Sequence, residues 1–396
     1  MFRVPDASRR LVEIPRSGIR RVLERVGASG TVNLAAGDPD FGTPAHIVEA
    51  GIAALRAGET HYTHGRGLME LRTAFAKKLA IENALEGVDP ETEIVVTAGA
   101  LNALAAVFLS VVDPGDRVIV PDPGFANYRA QIALAGGEAV GLPLRADERF
   151  APDLHELERL APTAKVIVVN SPGNPTGGVL DRATLEGIAR IATRHELLVI
   201  ADEAYEHLLY DSREHVSIAS LPDMRDRTVT LHSMSKSWAM TGWRIGFATG
   251  PAALMDEIAK AQEHIIGCPP AMNQWAAVAA LTGPTDMRDR MVERYAQRRD
   301  LVLERLSDVP GIDLARPDGA FYAFPSLDIG VQGIALAEAI AEGCGVITIP
   351  GSAFGQTGGR HVRISYAVPE ATLVEGLDRL SAWARSASVV AVREAR

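Results

Sequence analysis

Val166-Ile-Val-Val-Asn-Ser-Pro172 sets four consecutive β-branched residues against a turn-forming end. A run that short, without polar alternation, is the pattern of a strand buried on both faces in a helix-covered parallel sheet. Five further runs share it: Ile94-Val95-Val96, Val118-Ile119-Val120, Leu197-Leu198-Val199-Ile200, Val229-Thr230-Leu231 and Ile245-Gly246-Phe247. Helix-length segments lie between most of them, which predicts one large α/β sheet. The first five runs in chain order are followed by Thr97-Ala98-Gly99, Pro121-Asp122-Pro123, Asn170-Ser171-Pro172, Ala201-Asp202-Glu203 and His232-Ser233-Met234-Ser235-Lys236. Ligands of open α/β sheets bind outside the carboxyl ends of the strands, so five distant segments converge on one crevice.

Outward from this sheet the pattern changes. Thr43-Pro44 reads as an N-cap and first helical residue, followed by an apolar face of Ile47, Ala50, Ile52, Ala54 and Leu55 that ends near Gly58. A second helix is expected over Leu68 to Ala84. After about residue 285 an Arg-rich amphipathic helix, Arg288 to Leu306, precedes shorter strands around Gly319–Phe324, Val346–Ile349 and Val362–Ser365. Three parts are therefore expected. Residues 1–45, without a strand run of their own, pack on the small domain; residues 46–285 form the large domain; residues 286–396 form a smaller α+β domain.

Composition narrows the function classes. With 47% hydrophobic and 23% charged residues in 396, there is ample material for a large core. Forty Lys and Arg against 50 Asp and Glu give a net charge of −10, and no basic run offers the footprint that nucleic acid or anionic lipid requires. The longest nearly apolar stretch, Ala103 to Val112, is about half a membrane span. Residues 1–21 lack the apolar core of a secretory signal. Cys268 and Cys344 are the two cysteines; they form no metal motif and no disulfide framework, which fits a reducing cytoplasm. His195-Glu196 lacks the second His of a zinc-protease helix, and no Gly-x-Gly-x-x-Gly follows a strand, so neither a metal site nor a nicotinamide-binding unit is expected.

The turn Ser233-Met-Ser-Lys236 has two readings. As Ser-x-x-Lys it matches the nucleophile motif of penicillin-binding proteins, but neither Ser-Asp-Asn nor Lys-Thr-Gly accompanies it. Lys236 can instead be an imine-forming amine, whose ammonium deprotonates readily in a low-dielectric, cation-rich pocket; Arg244 supplies a neighbouring positive charge. Pyridoxal 5′-phosphate (PLP) chemistry further requires a carboxylate on the pyridinium nitrogen and a phosphate cradle. Asp202 ends a buried strand. Gly99-Ala100-Leu101 opens a helix directly after a strand, where amide N–H groups and the helix dipole hold a dianion. Ser233, Ser235 and Arg244 complete such a cradle.

From about Leu34 to Tyr366 the sequence resembles the fold-type I, PLP-dependent class I/II aminotransferases. The likeness rests on Asn33-Leu-Ala-Ala-Gly-Asp-Pro-Asp-Phe-Gly-Thr-Pro44, Tyr62-Thr63, Asn170-Ser-Pro-Gly-Asn-Pro-Thr-Gly177, Asp202-Glu-Ala-Tyr205, Ser233-Met-Ser-Lys236, Gly242-Trp-Arg-Ile-Gly246 and Arg363-Ile-Ser-Tyr366. It implies a mostly parallel, seven-stranded-type sheet between helices in the large PLP-binding domain. It also implies a ping-pong transfer of the amino group of an L-amino acid to a 2-oxo acid, 2-oxoglutarate by resemblance. Lys236 would hold the cofactor as an imine and then move a proton between substrate Cα and cofactor C4′. Asp202 would pair with the ring nitrogen, and Asn174 and Tyr205 would bond the phenolic oxygen. Phe125 would stack on the ring, with ordinary core packing as its bland alternative. Arg363 would clamp the α-carboxylate, with Gly37 offering backbone contact and Asn174 beside it. Tyr62 would reach the phosphate of a neighbouring subunit, which implies a homodimer; His61 and His64 beside it are expected to face solvent.

Two departures stand out. Ala100 and Leu101 occupy positions where relatives often carry a hydroxyl or Lys, which leaves backbone donors only. Gly267-Cys268-Pro269-Pro270 stands where Ser or Thr is common, near the substrate or dimer face. A dicarboxylate substrate needs a second cation beyond Arg363, for which Arg16, Arg20 and Arg66 lie in suitable segments. A PLP-dependent lyase or cyclising synthase would use the same Lys, Asp and Arg. A non-catalytic PLP-binding domain is the remoter alternative, since every catalytic position is occupied.

Overall fold

The computed structural model describes residues 8–14 and 30–394. After a short helix, Arg9–Glu13, come β1 (Val32–Asn33) and then the strands of the large sheet: β2 (Ile94–Thr97), β3 (Arg117–Asp122), β4 (Glu138–Pro143), β5 (Val166–Asn170), β6 (Leu198–Asp202), β7 (Thr228–Ser233) and β8 (Gly246–Thr249). Six short strands follow: β9 (Ile312–Asp313), β10 (Tyr322–Ala323), β11 (Ser326–Leu327), β12 (Val346–Ile347), β13 (Ile349–Pro350) and β14 (Val362–Ser365). The large sheet is ordered β2-β8-β7-β6-β5-β3-β4. Strands β4, β3, β5, β6 and β7 run parallel, while β8 is antiparallel to both its neighbours. The link from β7 to β8 holds only the four-residue helix Met234–Ser237, too little to cross the sheet, so the chain turns back beside itself.

All six apolar runs form strands. The seventh, β4, escapes the same reading for a physical reason. It is an edge strand of Glu138-Ala-Val-Gly-Leu-Pro143 with mostly half-buried side chains, so it lacks the continuous apolar run of a strand covered on both faces.

Alternate side chains of the strands feed two cores. Val118, Val120, Val166, Val168, Ile200, Val229 and Leu231 pack with Ala103, Val107 and Phe108 of the Ala100–Val111 helix and with Met255 and Ile258 of the Ala252–Ile266 helix. Ile119, Ile167, Val169, Val199 and Ala201 pack with Leu185, Ile188 and Ile191 of the Arg182–Arg194 helix. Full burial of each such side chain contributes roughly 1.5–3 kcal/mol, and this holds the carboxyl ends of the strands as a rigid platform.

The C-terminal part packs around Tyr295, Phe321, Tyr322, Leu336, Ile364 and Tyr366, a core that also takes in Val32 and Leu34 and, from the large part, Tyr205, Leu208 and Tyr210. Strand β14 lies between β10 and β13, antiparallel to both. The early segment does contribute a strand, since β1 pairs parallel with β12. Thr43 is not an N-cap. The helix Ala45–Arg56 starts behind an extended Pro44, and the Thr43 hydroxyl donates to Ala239 O at 2.6 Å and accepts from Trp243 Nε1 at 3.1 Å.

The two parts are fastened by Asp122, at the end of β3. Its carboxylate accepts from Arg129 Nη2 at 2.7 Å and from Gln356 N, Thr357 N and Thr357 Oγ1 at 3.0, 3.0 and 2.8 Å. Gly355 is required there, because a Cβ would come within 2.2 Å of Asp122 Oδ1 at φ +147. Asp122→Ala strands four donors and should lower unfolding stability by about 2–4 kcal/mol, measured by denaturant titration; a loss below about 0.5 kcal/mol would mean that solvent replaces the carboxylate.

Candidate active site

One cavity of about 270 Å³ opens at the carboxyl ends of the strands, lined by Gly37, Ala100, Leu101, Phe125, Asn174, Asp202, Tyr205, Ser233, Ser235, Lys236, Arg244 and Arg363. Lys236, Arg244 and Arg363 face a single carboxylate there, Asp202, so the cavity suits an anionic ligand.

Lys236 is carried by the four-residue helix that follows β7. Its Nζ donates to Gly37 O at 2.6 Å and lies 5.6 Å from the Phe321 ring centroid. Burial, aided by Arg363 and Arg244 and opposed by Asp38, pulls its pKa down to about 8. An amine so placed is a nucleophile near neutral pH.

Asp202 closes β6 and is buried. It accepts from Tyr128 Oη at 2.6 Å and from Ala204 N at 3.2 Å, neither of them a cation. Burial pushes its pKa up despite those bonds. Tyr205 is also buried, which raises its phenol well above the usual range.

Arg363 lies on β14, 3% exposed. Nη1 donates to Asn174 Oδ1 at 3.0 Å and Nη2 to Ala35 O at 2.9 Å, while its buried Nε has no hydrogen-bond partner. The rings of Tyr322 and Phe354 lie 4.3 and 5.1 Å from Cζ. A guanidinium held by neutral acceptors and ring faces keeps its charge available for an incoming carboxylate.

The residues expected to cradle a phosphate meet at the start of the Ala100–Val111 helix, whose N-cap Gly99 has φ +83. Arg244 donates to Thr241 O at 2.9 Å and Ala98 O at 3.1 Å, and a Cβ on Gly99 would meet its Nη2 at 2.5 Å. Only glycine meets both demands. Ser233 Oγ accepts from Ser235 N at 3.2 Å at the adjacent strand end.

Not every expected residue joins. Gly99 stands behind the lining residues, against Arg244. Tyr62 is 93% exposed and outside the cavity, as are the exposed His61 and His64. Arg66 is engaged by Asp256 Oδ1 at 2.9 Å and Thr92 O at 3.0 Å; Arg16 and Arg20 lie outside the described residues. Gly267 to Pro270 is not part of the lining. Conversely, Tyr128, Asn170 and Tyr322 belong to the site without having been expected there. Asn170 Nδ2 donates to Asp202 O and its Oδ1 accepts from Asn174 N, each at 3.0 Å. The position of Asn170 at the end of β5 was a signal; no local pattern marks Tyr128 or Tyr322.

Behind Asp202, ligand atoms of Glu203, Glu206 and His215 lie within 4.8 Å of one another. The Lys78 ammonium donates to Glu206 Oε2 and, at 2.7 Å, to Asn83 Oδ1, so this carboxylate cluster already carries an internal cation.

The family model for class I and II aminotransferases matches residues 29–380. The aspartate aminotransferase of Pyrococcus abyssi is 40% identical, with 94% of this chain and 97% of that protein aligned. Aromatic-amino-acid aminotransferase 2 of Thermococcus litoralis is 37% identical over the same shares. The structure of the Thermus thermophilus aspartate aminotransferase with maleate superposes with a TM-score of 0.90 at 38% identity, covering 96% of this chain and 100% of that one.

The lysine's environment gives a direct test. In cofactor-free protein, acylation of Lys236 should reach half its maximal rate near pH 8, against about 10.4 for a solvated lysine, because the buried ammonium gives up its proton earlier. Peptide mass spectrometry across a pH series reads this; a midpoint near 10 would place the side chain in solvent.

Proposed function

Because this chain belongs to the class I and II aminotransferase family, we propose a role for each group lining its cavity and a substrate pair for the reaction. The protein is a PLP-dependent transaminase that moves the amino group of an L-amino acid to a 2-oxo acid by a ping-pong mechanism. When bound, PLP supplies an electron-withdrawing ring that acidifies the α-proton of an attached amino acid.

What carries the assignment of roles is Asp202, a buried carboxylate that lacks a cationic hydrogen-bond donor. A protonated ring nitrogen is the partner it needs. Asn174 and Tyr205 line the cavity, where they would meet the ring's phenolic oxygen, and Phe125, also in the lining, would stack on the ring. The amides of Gly99, Ala100 and Leu101, with Ser233, Ser235 and Arg244, hold the phosphate. Arg363 takes the substrate α-carboxylate, oriented by Asn174 and Ala35 O, and Gly37 lies against the same part of the cavity. Lys236 Nζ accepts the proton leaving Cα and returns it on the other side of the exchange; its lowered pKa suits both directions.

Glutamate and 2-oxoglutarate are proposed as one half-reaction, with aspartate or a neutral or aromatic amino acid as the other partner. The named relatives act on aspartate and on aromatic amino acids, and a single clamp for the α-carboxylate serves both. Among the described residues no helix is long and apolar enough to cross a membrane, and the two thiols are free; the cytoplasm is the proposed compartment.

Addition of glutamate to the PLP-loaded protein should convert the bound cofactor to its pyridoxamine form, followed by absorbance, and Lys236→Ala should slow that conversion by at least about 10⁴-fold. Conversion by alanine but not by glutamate would overturn the 2-oxoglutarate proposal.

A bulky aromatic side chain as exposed as Tyr62 supports the proposed homodimer, in which Tyr62 enters the partner's cavity. Lys236→Ala and Tyr62→Ala chains, each impaired alone, should regain up to about a quarter of parental activity when mixed, if chains pair at random and each hybrid has one intact site. No recovery after confirmed subunit exchange would exclude shared sites.

A further inference from the structure

Tyr322 Oη lies 2.9 Å from Tyr205 Oη, and both rings are almost wholly buried, at 1% and 5% exposure. A phenol donates one proton and also accepts. Two phenols joined by one hydrogen bond therefore have one proton left for a third group, and the sense of the bond decides which ring offers it. Three observations set that sense. The Arg363 guanidinium lies 4.3 Å from the Tyr322 ring centroid; a cation on the ring face draws density from the oxygen and makes the O–H a better donor. On its other side, Tyr322 Oη is closed in by Gly37, where even an added Cβ would come within 2.5 Å. Both rings line the cavity, and Tyr205 does so beside Asn174 and Asp202, where the cofactor's phenolic oxygen, an anion and a stronger acceptor than a phenol, is proposed to lie.

We propose that Tyr322 is a positioning residue that donates its hydroxyl proton to Tyr205, so that Tyr205 presents its own proton to the phenolic oxygen of bound PLP. This rests on the role of Tyr205 proposed above. The bond polarises Tyr205 and fixes its hydroxyl toward the cavity, and a chain of two donors is stronger than one.

The consequence appears where Lys236 joins the cofactor. A donor at the phenolic oxygen stabilises its negative charge most after the imine nitrogen has lost its proton and no longer offsets that charge. A strong Tyr205 donor therefore lowers the pH at which the imine proton leaves, and a weakened one raises it. The charged and titratable groups facing Tyr205 are Tyr322, Arg363, Asp202 and Tyr128, and those facing Lys236 are Asp38, Arg363 and Arg244. Tyr322→Phe removes one oxygen and leaves all the others in place.

The test is a spectrophotometric pH titration of the lysine-bound cofactor in the holoenzyme. Tyr322→Phe should raise the midpoint by about half to one pH unit, Tyr205→Phe should raise it further, and the double variant should match Tyr205→Phe alone. The proposal is overturned if Tyr322→Phe titrates like the parent, or if its shift adds in full to that of Tyr205→Phe, since Tyr322 would then not act through Tyr205. If Tyr205→Phe itself leaves the midpoint in place, the assignment of Tyr205 falls and this proposal with it, a pattern distinct from failure at Tyr322 alone.

Discussion

Three carboxylates stand within five residues at the end of β6, and the chain treats one of them differently. Glu206 is buried, yet Lys78, His232 and His207 outweigh the cost of burial and hold its pKa well below the usual range. Glu203 is likewise drawn down against burial, by His215 and His232. Asp202 receives only a phenol and an amide N–H, and burial wins, raising its pKa. Desolvating a carboxylate costs several kcal/mol unless a cation is supplied. Glu206 and Glu203 have enough nearby cation to offset burial, whereas His232 alone does not offset it at Asp202, the one carboxylate of the three that lines the cavity. That asymmetry supports the proposed pairing of Asp202 with a cationic ring nitrogen.

The positive side is equally uneven. Arg363 and Arg244 both depress the Lys236 pKa, while Asp38 partly restores it. Without the two arginines the lysine would hold its proton more tightly; without Asp38 it would hold it less. A group that must both accept and return a proton works best with a pKa near the operating pH, so the arginines proposed to bind anions also tune the proposed base. Arg363 lies between two aromatic rings, and such low-dielectric surroundings strengthen its attraction for a carboxylate, just as burial of Lys236 disfavours its charged form.

Much of this was legible in the sequence because it is written in short, local patterns. Continuous β-branched runs mark strands covered on both faces, and Asp202, Ser233 and Lys236 lie within a few residues of such runs, so their convergence follows from topology alone. Strand β4 was not legible, since an edge strand carries no continuous apolar run. Tyr128 and Tyr322 were missed for a different reason. Each acts through a hydroxyl whose partner is 74 or 117 residues away, and nothing in a local window separates a phenol that touches Asp202 or Tyr205 from one that merely fills space. Thr43 is the converse case: its placement before Pro44 suggested a cap, but Ala239 O and Trp243 engage its hydroxyl.

The segment from Leu34 to Asp40 ties these features together mechanically. Leu34 O accepts from Ser365 N at 2.7 Å and Ala35 O from Arg363, two residues apart on β14. Gly37 O accepts from Lys236. Asp40 takes Arg298 in a two-pronged pair at 2.7 and 2.8 Å, with that guanidinium over the Phe41 ring at 5.2 Å. One extended stretch thus bonds the arginine of the C-terminal part, the lysine of the large sheet and the long Asp286–Leu306 helix. Packed interiors transmit displacement rather than absorb it, and the carbonyls that hold Arg363 and Lys236, those of Ala35 and Gly37, are two residues apart on that stretch. A carboxylate bound at Arg363, as proposed, would therefore reach the lysine through the backbone as well as through the charge by which Arg363 depresses the Lys236 pKa.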